Sequence, residues 1–319
     1  MARPDLFSDI CTLAGPALEP LDPGTGWPGI ARVSLSTGQR LVALHVSKVS
    51  SHARAEYERR FQNPASGAKV RADNGAMPIL VGLGYAGNQP ILVAVDGSTR
   101  VNRATRFSIL FNISAMQEAA LTGWSEYHSS TGERIIAMRP RLLPAYIEAV
   151  AENVLIDAGS VGDAALAAGL LENDDDESGE RVRATVTRLV RRAAFGREVC
   201  VAYANRCAVC GIGLDLLEGA HIYPATAPGS PDKVWNGLAL CRNHHRLFDR
   251  HKLWISPTDR RVLLHPEIHQ AAVNEAVVAS LVTHTRGIIA LPSLSRHHPR
   301  SYMFTQRYDM ASALYEWAA

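Results

Sequence analysis

The chain has 319 residues, of which 47% are hydrophobic and 20% charged, with a formal net charge of +2. That is enough apolar material for two domains, each with its own core, and no run approaches the ~18 consecutive apolar residues a membrane span needs, which excludes a membrane-spanning protein. The opening Met1-Ala2-Arg3-Pro4-Asp5 develops no apolar stretch of a secretory signal, so a cytoplasmic protein is expected, and five cysteines, an odd number, argue for metal or core roles over disulfides.

Short β-type runs at 40–46, 79–83, 91–95 and 134–138 are punctuated by Gly and Pro in the first half of the chain. Ser114-Ala115-Met116-Gln117 has the spacing of a capping box and predicts a helix ending near Gly123. Further helices are predicted over 144–154 and 161–171. Residues 1–171 therefore read as a mixed α/β domain. Residues 172–180, Glu-Asn-Asp-Asp-Asp-Glu-Ser-Gly-Glu, offer nothing apolar to bury and repel one another, which reads as a solvated acidic linker. Residues 181–319 then carry 18 basic against 10 acidic side chains, an asymmetry that suggests a polyanionic partner. Within them, 182–203 repeats apolar residues at helical spacing opposite Arg181, Arg183, Arg188, Arg191, Arg192 and Arg197, a face that either meets solvent or contacts phosphates.

The most specific pattern is Cys207-Ala208-Val209-Cys210 followed by Cys241-Arg242-Asn243-His244. Two pairs, each spaced by two residues, suit a closed tetrahedral zinc site, because each short turn aims two side chains at one ion. Cys11 and Cys200 have no partner at ligand spacing and read as small apolar residues. Between the pairs lies Leu217-Glu218-Gly219-Ala220-His221-Ile222, then a Pro- and Gly-rich loop, then Trp235-Asn236-Gly237-Leu238-Ala239-Leu240-Cys241, and after them His244-His245-Arg246-Leu247-Phe248-Asp249. Locally this is strand, long loop, strand, helix.

The order His221, Asn236, His245, framed by CxxC and CxxH, resembles the HNH endonucleases of ββα-metal fold. The wording GAHIYP … NGLALCRNHHRLFD is similar to the subgroup found in restriction and other defence nucleases. The resemblance is close over 192–255 and looser over 287–292 and the basic, His-rich tail. It implies that His221 is the general base that activates water, that Asn236 fixes the loop, and that His245 helps hold a catalytic divalent cation, Mg²⁺ or Mn²⁺, beside the structural Zn²⁺. Imidazole suits the first task because its ordinary pKa lies near 6.5. Where many family members place an Asp before the base, this chain has Ala220, so the cation needs other ligands; Glu218 is the first candidate, with Asp249 and His251 behind it and more readily explained as structural residues.

The expected architecture is thus α+β: an N-terminal mixed α/β recognition domain over 1–171, the linker over 172–180, and an HNH nuclease domain with zinc knuckles over 181–319. The expected partner is double-stranded DNA, read by the first domain in its sequence or in a modified base, with two copies of the chain needed to cut both strands. Arg100, Arg103 and Arg106, at intervals of three, and Arg191, Arg192, Arg242 and Arg246 are the candidate phosphate contacts. Trp27, Tyr57, Phe61, Tyr85, Trp124 and Tyr127 offer either a stacking platform for a flipped base or core residues. A second nuclease centre is not expected, since Asp96 and Glu133 are not followed by the required Lys, and no GxxxxGK[ST] run supports use of ATP. The rival readings are a zinc-stabilised DNA-binding protein without catalysis and a homing or recombination nuclease.

Overall fold

The computed structural model describes residues 2–52, 55–64, 68–102, 106–173, 175–214 and 216–318. The chain divides into two compact units, Met1–Val190 and Arg191–Ala319. The N-terminal unit runs α1 (Arg3–Ala14), β1 (Leu18–Asp22), β2 (Gly29–Leu35), β3 (Gly38–Lys48), β4 (Ser50–Ser51), β5 (Glu58–Gln62), β6 (Met77–Ala86), β7 (Gln89–Asp96), β8 (Ser108–Asn112), α2 (Ile113–Thr122), β9 (Trp124–His128), β10 (Arg134–Met138), α3 (Leu143–Ala151) and α4 (Ala158–Ala167). Seven strands form one sheet in the order β1-β2-β3-β6-β7-β10-β9, and β4, β5 and β8 form a second. Within the large sheet β3 and β6 are parallel, from Val42↔Met77 to Lys48↔Leu83, and the other neighbours are antiparallel. These two central strands are buried on both faces, which is why they read as continuous apolar runs and not as alternation.

One face of the large sheet sets Leu80, Ile91, Val93, Val95, Ile135 and Ala137 against Phe61, Ile109 and Phe111 of the small sheet and Ala115, Met116 and Ala119 of α2. Of the aromatic residues that offered a stacking platform, Trp27, Phe61 and Trp124 are core, while Tyr57 and Tyr85 are exposed. The cap of α2 is Asn112, whose Oδ1 accepts from the Ser114 amide at 2.9 Å, not the Ser114 of the capping-box pattern. Gly123 ends the helix in the left-handed region, φ 88°. On β3, His45 is fully buried; its Nδ1–H faces the Ala43 carbonyl at 3.0 Å and its Nε2 accepts from the Arg71 amide at 3.0 Å. Both nitrogens are satisfied in the neutral ring, and burial pulls its pKa down to about 4.

The acidic stretch is not a linker throughout. Helix α5 (Asp176–Ala202) starts inside it, and Ser178 and Gly179 are buried. Asp175 caps the helix by accepting from the Ser178 amide at 2.7 Å, so the carboxylates sit where the amides of a helix N-terminus favour negative charge. The division between units falls at Val190, well into this helix, and residues 181–190 belong to the N-terminal unit.

The C-terminal unit continues with β11 (Leu217–His221), β12 (Gly237–Cys241), α6 (Arg242–Asp249), β13 (Leu253–Ile255), β14 (Val262–Leu264), α7 (Pro266–Asn274), α8 (Ala276–His284) and α9 (Ser301–Met310). β11 and β12 pair antiparallel from Leu217↔Cys241 to His221↔Gly237. The last turns of α5 lie on this hairpin at backbone distance: a Cβ on Gly219 would stand 2.5 Å from the Cα of Gly196. A side chain at position 219 would block that approach, whereas a Cβ at Gly196 would stand 3.8 Å from the Gly219 amide nitrogen, an ordinary contact. Phe195, Val199 and Tyr203 of α5 join Leu238, Leu240, Phe248, Trp254 and Phe304 in one core. Arg307 of α9 is buried and clamps it, donating to the Ile222 carbonyl (3.1 Å), the Phe248 carbonyl (2.6 Å) and the Tyr315 hydroxyl (2.6 Å) with its guanidinium 3.8 Å from the centre of the Phe248 ring. No helix among the described residues is long and apolar enough to cross a membrane.

Candidate functional site

The thiol cluster is assembled from two turns and a helix start. Cys207 and Cys210 lie on a turn in which the Gly211 amide donates to the Cys207 carbonyl at 2.8 Å, with Gly211 at φ 79°, and Cys241 is the last residue of β12, so His244 arrives one turn into α6. The four ligand atoms lie within 4.8 Å of one another. Tetrahedral zinc with bonds of about 2.3 Å to sulfur places its sulfurs about 3.8 Å apart. The Sγ atoms of Cys210 and Cys241 are 3.9 Å apart, and the Nδ1 of His244 is 3.1 Å from Cys241 Sγ and 3.8 Å from Cys207 Sγ. The donor set therefore fits zinc.

The surroundings support the same ion. The Thr285 hydroxyl donates to the Leu281 carbonyl at 2.9 Å, so toward His244 Nε2, 3.1 Å away, it can only accept. The His244 proton is thereby held on Nε2 and the Nδ1 lone pair faces the sulfurs. The thiols alone are in conflict: a hydrogen bond from Cys241 draws Cys207 down to about 3, and that contact together with burial pushes Cys241 up. A dication resolves this by stabilising all three thiolates at once. Segment 286–290, which overlaps the start of the looser tail resemblance, packs its backbone here, with the amides of Arg286 and Ala290 donating to the Val209 and Ala208 carbonyls at 2.9 and 2.8 Å.

His221 ends β11. Its ring stacks on Phe195 at 3.8 Å and 19°, and its Nε2 is 2.9 Å from Asp232 Oδ1. Burial is the main influence on it and holds its pKa below the ordinary 6.5; Asp232 opposes that effect, and Arg192 and His245 add to it. Asn236 is fully buried beside it and closes the loop between the strands: its Oδ1 accepts from the Tyr223 amide (2.9 Å), and its Nδ2 donates to Ser230 Oγ (3.2 Å) and to the carbonyls of Pro231 (3.1 Å) and Tyr223 (3.3 Å). His245, on α6, presents Nδ1 to Glu218 Oε2 at 2.6 Å and Nε2 to Asp249 Oδ2 at 3.5 Å. Glu218 also meets Arg242 at 3.3 Å. His245 thus lies between two carboxylates, Glu218 at one ring nitrogen and Asp249 at the other, and the nitrogen and oxygen donors are of the types that bind divalent cations.

This constellation sits inside a stretch, residues 207–256, that matches the family model described as HNH endonuclease. Residues 207–256 form an HNH endonuclease domain. Residues 40–147 match a second family model, described as Methylase-associated X1. Among solved structures, a "Modification dependent TagI restriction endonuclease" aligns at 15% identity and TM-score 0.33, covering 84% of this chain and 81% of that one. No curated protein matches the chain.

The remaining sequence candidates scatter around the HNH domain and beyond it. Arg242 and Arg246 of α6 are exposed, as are Arg191 and Arg192 of α5; Arg191 is ion-paired with Asp232 at 2.9 Å. In the N-terminal unit the regularly spaced arginines meet different surroundings. Arg100 is not held out for phosphate but forks onto Glu133 at 2.6 and 2.7 Å, mostly buried, over the ring of Phe107. Arg103 lies outside the described residues, and Arg106 is exposed. Asp249 meets His245 and is not merely a turn residue, whereas His251 packs edge-on against Tyr315, with its pKa lowered chiefly by burial. Asp232, Phe195 and Thr285 escaped the sequence reading, because none stands at a fixed interval from the motif it serves.

Proposed function

We propose that this protein is a metal-dependent DNA endonuclease of restriction or related defence type, which hydrolyses phosphodiester bonds with its HNH domain and reads its substrate with residues 1–171. The observation that carries the reading is the different fate of two histidines on one hairpin-helix unit. The His221 side chain is 8% exposed, stacked on Phe195 and kept neutral at pH 7, while that of His245, 19% exposed, lies between two carboxylates.

In that reading His221 takes a proton from water through Nδ1 as the water oxygen bonds to phosphorus; the ester P–O bond breaks and the departing oxygen is protonated by solvent. His245 and Glu218 are the residues that would hold a divalent cation, which would supply positive charge for the phosphate oxygens, and Asp249 would orient His245 from its other nitrogen. Asn236 keeps the loop that faces His221 from collapsing, because it satisfies backbone groups that would otherwise be buried unpaired. Arg192, Arg242 and Arg246 contribute the phosphate contacts. Two copies of the chain, one hydrolytic site in each, cut the two strands. The methylase association in the description of the N-terminal family supports base modification as part of what that region reads.

The deciding experiment is cleavage of modified and unmodified plasmid DNA with Mg²⁺ or Mn²⁺, wild type beside His221→Ala, zinc measured in both. The substitution is expected to lower the cleavage rate by about 10²- to 10⁴-fold at equal zinc content. Two proteins that hold zinc and bind DNA, neither of which cuts, would establish the non-catalytic DNA-binding reading instead.

A further inference from the structure

The loop between β11 and β12 holds an acidic residue that the HNH chemistry leaves without a task. Asp232 spends one carboxylate oxygen on each of two partners: Oδ1 is 2.9 Å from His221 Nε2, and Oδ2 accepts from Arg191 Nη2 at 2.9 Å. We propose that Asp232 is a positioning residue for His221 and that Arg191 is its tether; this rests on the nuclease reading above.

A carboxylate can only accept, so the His221 proton is drawn to Nε2 and the lone pair to Nδ1, the atom that must receive the proton of water. Phe195 fixes the plane of the ring from one side. The carboxylate itself is anchored twice, by Arg191 and by its neighbours in the loop: Asn236 donates to Ser230 and Pro231, immediately before Asp232. Rotation, tautomer and partner are all set before substrate arrives, which is what a base needs in order to act without reorganising. The charged and titratable groups around His221 are Asp232, Arg192 and His245, and Asp232 is the one that favours the protonated ring. The assignment also moves Arg191 from the phosphate contacts to the catalytic support.

The test uses the full-length, zinc-loaded protein as wild type, Asp232→Asn, Asp232→Ala and Arg191→Met. Asp232→Ala is expected to lose about 10- to 100-fold in kcat, with KM little changed, since general-base catalysis as a whole contributes about 10²- to 10⁴-fold. Asp232→Asn keeps an acceptor but loses the charge, so it retains more activity and the acid limb of its pH profile moves down by about one unit. Arg191→Met should lower kcat while leaving the salt dependence of DNA binding as in wild type; a shallower salt slope would return Arg191 to the phosphate contacts and remove the tether. An acid limb unmoved in Asp232→Asn, with kcat at the wild-type level in Asp232→Ala, would overturn the proposal. The ¹⁵N imidazole spectrum of His221, assigned by its loss in His221→Gln, gives a readout independent of cleavage. The Nε2–H tautomer in wild type, mixed in Asp232→Ala, supports the arrangement, and an Nδ1–H tautomer in wild type refutes it whatever the activity. Full cleavage by His221→Ala would instead sink the nuclease role of His221 while leaving that spectrum unchanged.

Discussion

His244 and His245 are neighbours on one helix and belong to opposite kinds of site. His244 is buried among three thiols, its far nitrogen locked by Thr285, and its donor atoms leave no room for a further ligand. His245 is partly exposed and faces the carboxylates of Glu218 and Asp249, which water, a cation and a phosphate can join. In the proposed mechanism this difference separates stability from chemistry within one domain. A closed tetrahedron of soft donors contributes folding free energy; an open set of harder donors leaves positions for substrate. One turn of α6 serves both because successive residues on a helix point about 100° apart.

Removing the closed site should have the largest effect. Cys210→Ala is expected to release zinc and unfold the C-terminal unit, since structural zinc contributes on the order of 10 kcal/mol to such folds; zinc content and calorimetry check it, and a stable, zinc-free unit would erase the distinction drawn here. His245→Ala should keep zinc and melting behaviour but raise the Mg²⁺ or Mn²⁺ concentration needed for half-maximal cleavage by about 10- to 100-fold, read from a metal titration. Thr285→Val sharpens the comparison from the other side: it should weaken zinc, seen in chelator competition, by about tenfold, with little effect on the catalytic metal requirement. The smallest effect is in pH. Because burial lowers the pKa of His221, the neutral base persists below the ordinary value, and the acid limb of kcat/KM is expected below about 6.5. The same sign makes the contribution of His221 to stability complete above pH 6.5 and lost as pH falls through its folded value. A limb above 6.5 would place the essential base elsewhere.

Sequence spacing was enough wherever the structure is local. The two CxxC-type turns, the strands at 79–83, 91–95 and 134–138, and the helix through 182–203 need only neighbours along the chain to define them, and the ligands and histidines sit on elements the pattern anticipated. Signals failed where a long-range contact decides. The regular arginines at 100, 103 and 106 suggested a phosphate face, but Glu133, far along the chain, claims Arg100. The acidic segment from Asp176 looked too polar to fold alone, and becomes the first turn of α5 because Ser178 and Gly179 pack against the rest of the N-terminal unit.

By itself, then, the amino-acid sequence determined the ligand types, their spacing on two knuckles, and the strand-loop-strand-helix order that carries His221, Asn236 and His245, because each depends on backbone geometry over a few residues. Only the tertiary structure decided which carboxylate meets which histidine. Asp232 reaches His221 across the ten residues between them, Glu218 on β11 reaches His245 on α6, and Thr285 reaches His244 from the end of α8. Such pairings arise from loop closure and packing, which leave no periodic trace along the chain.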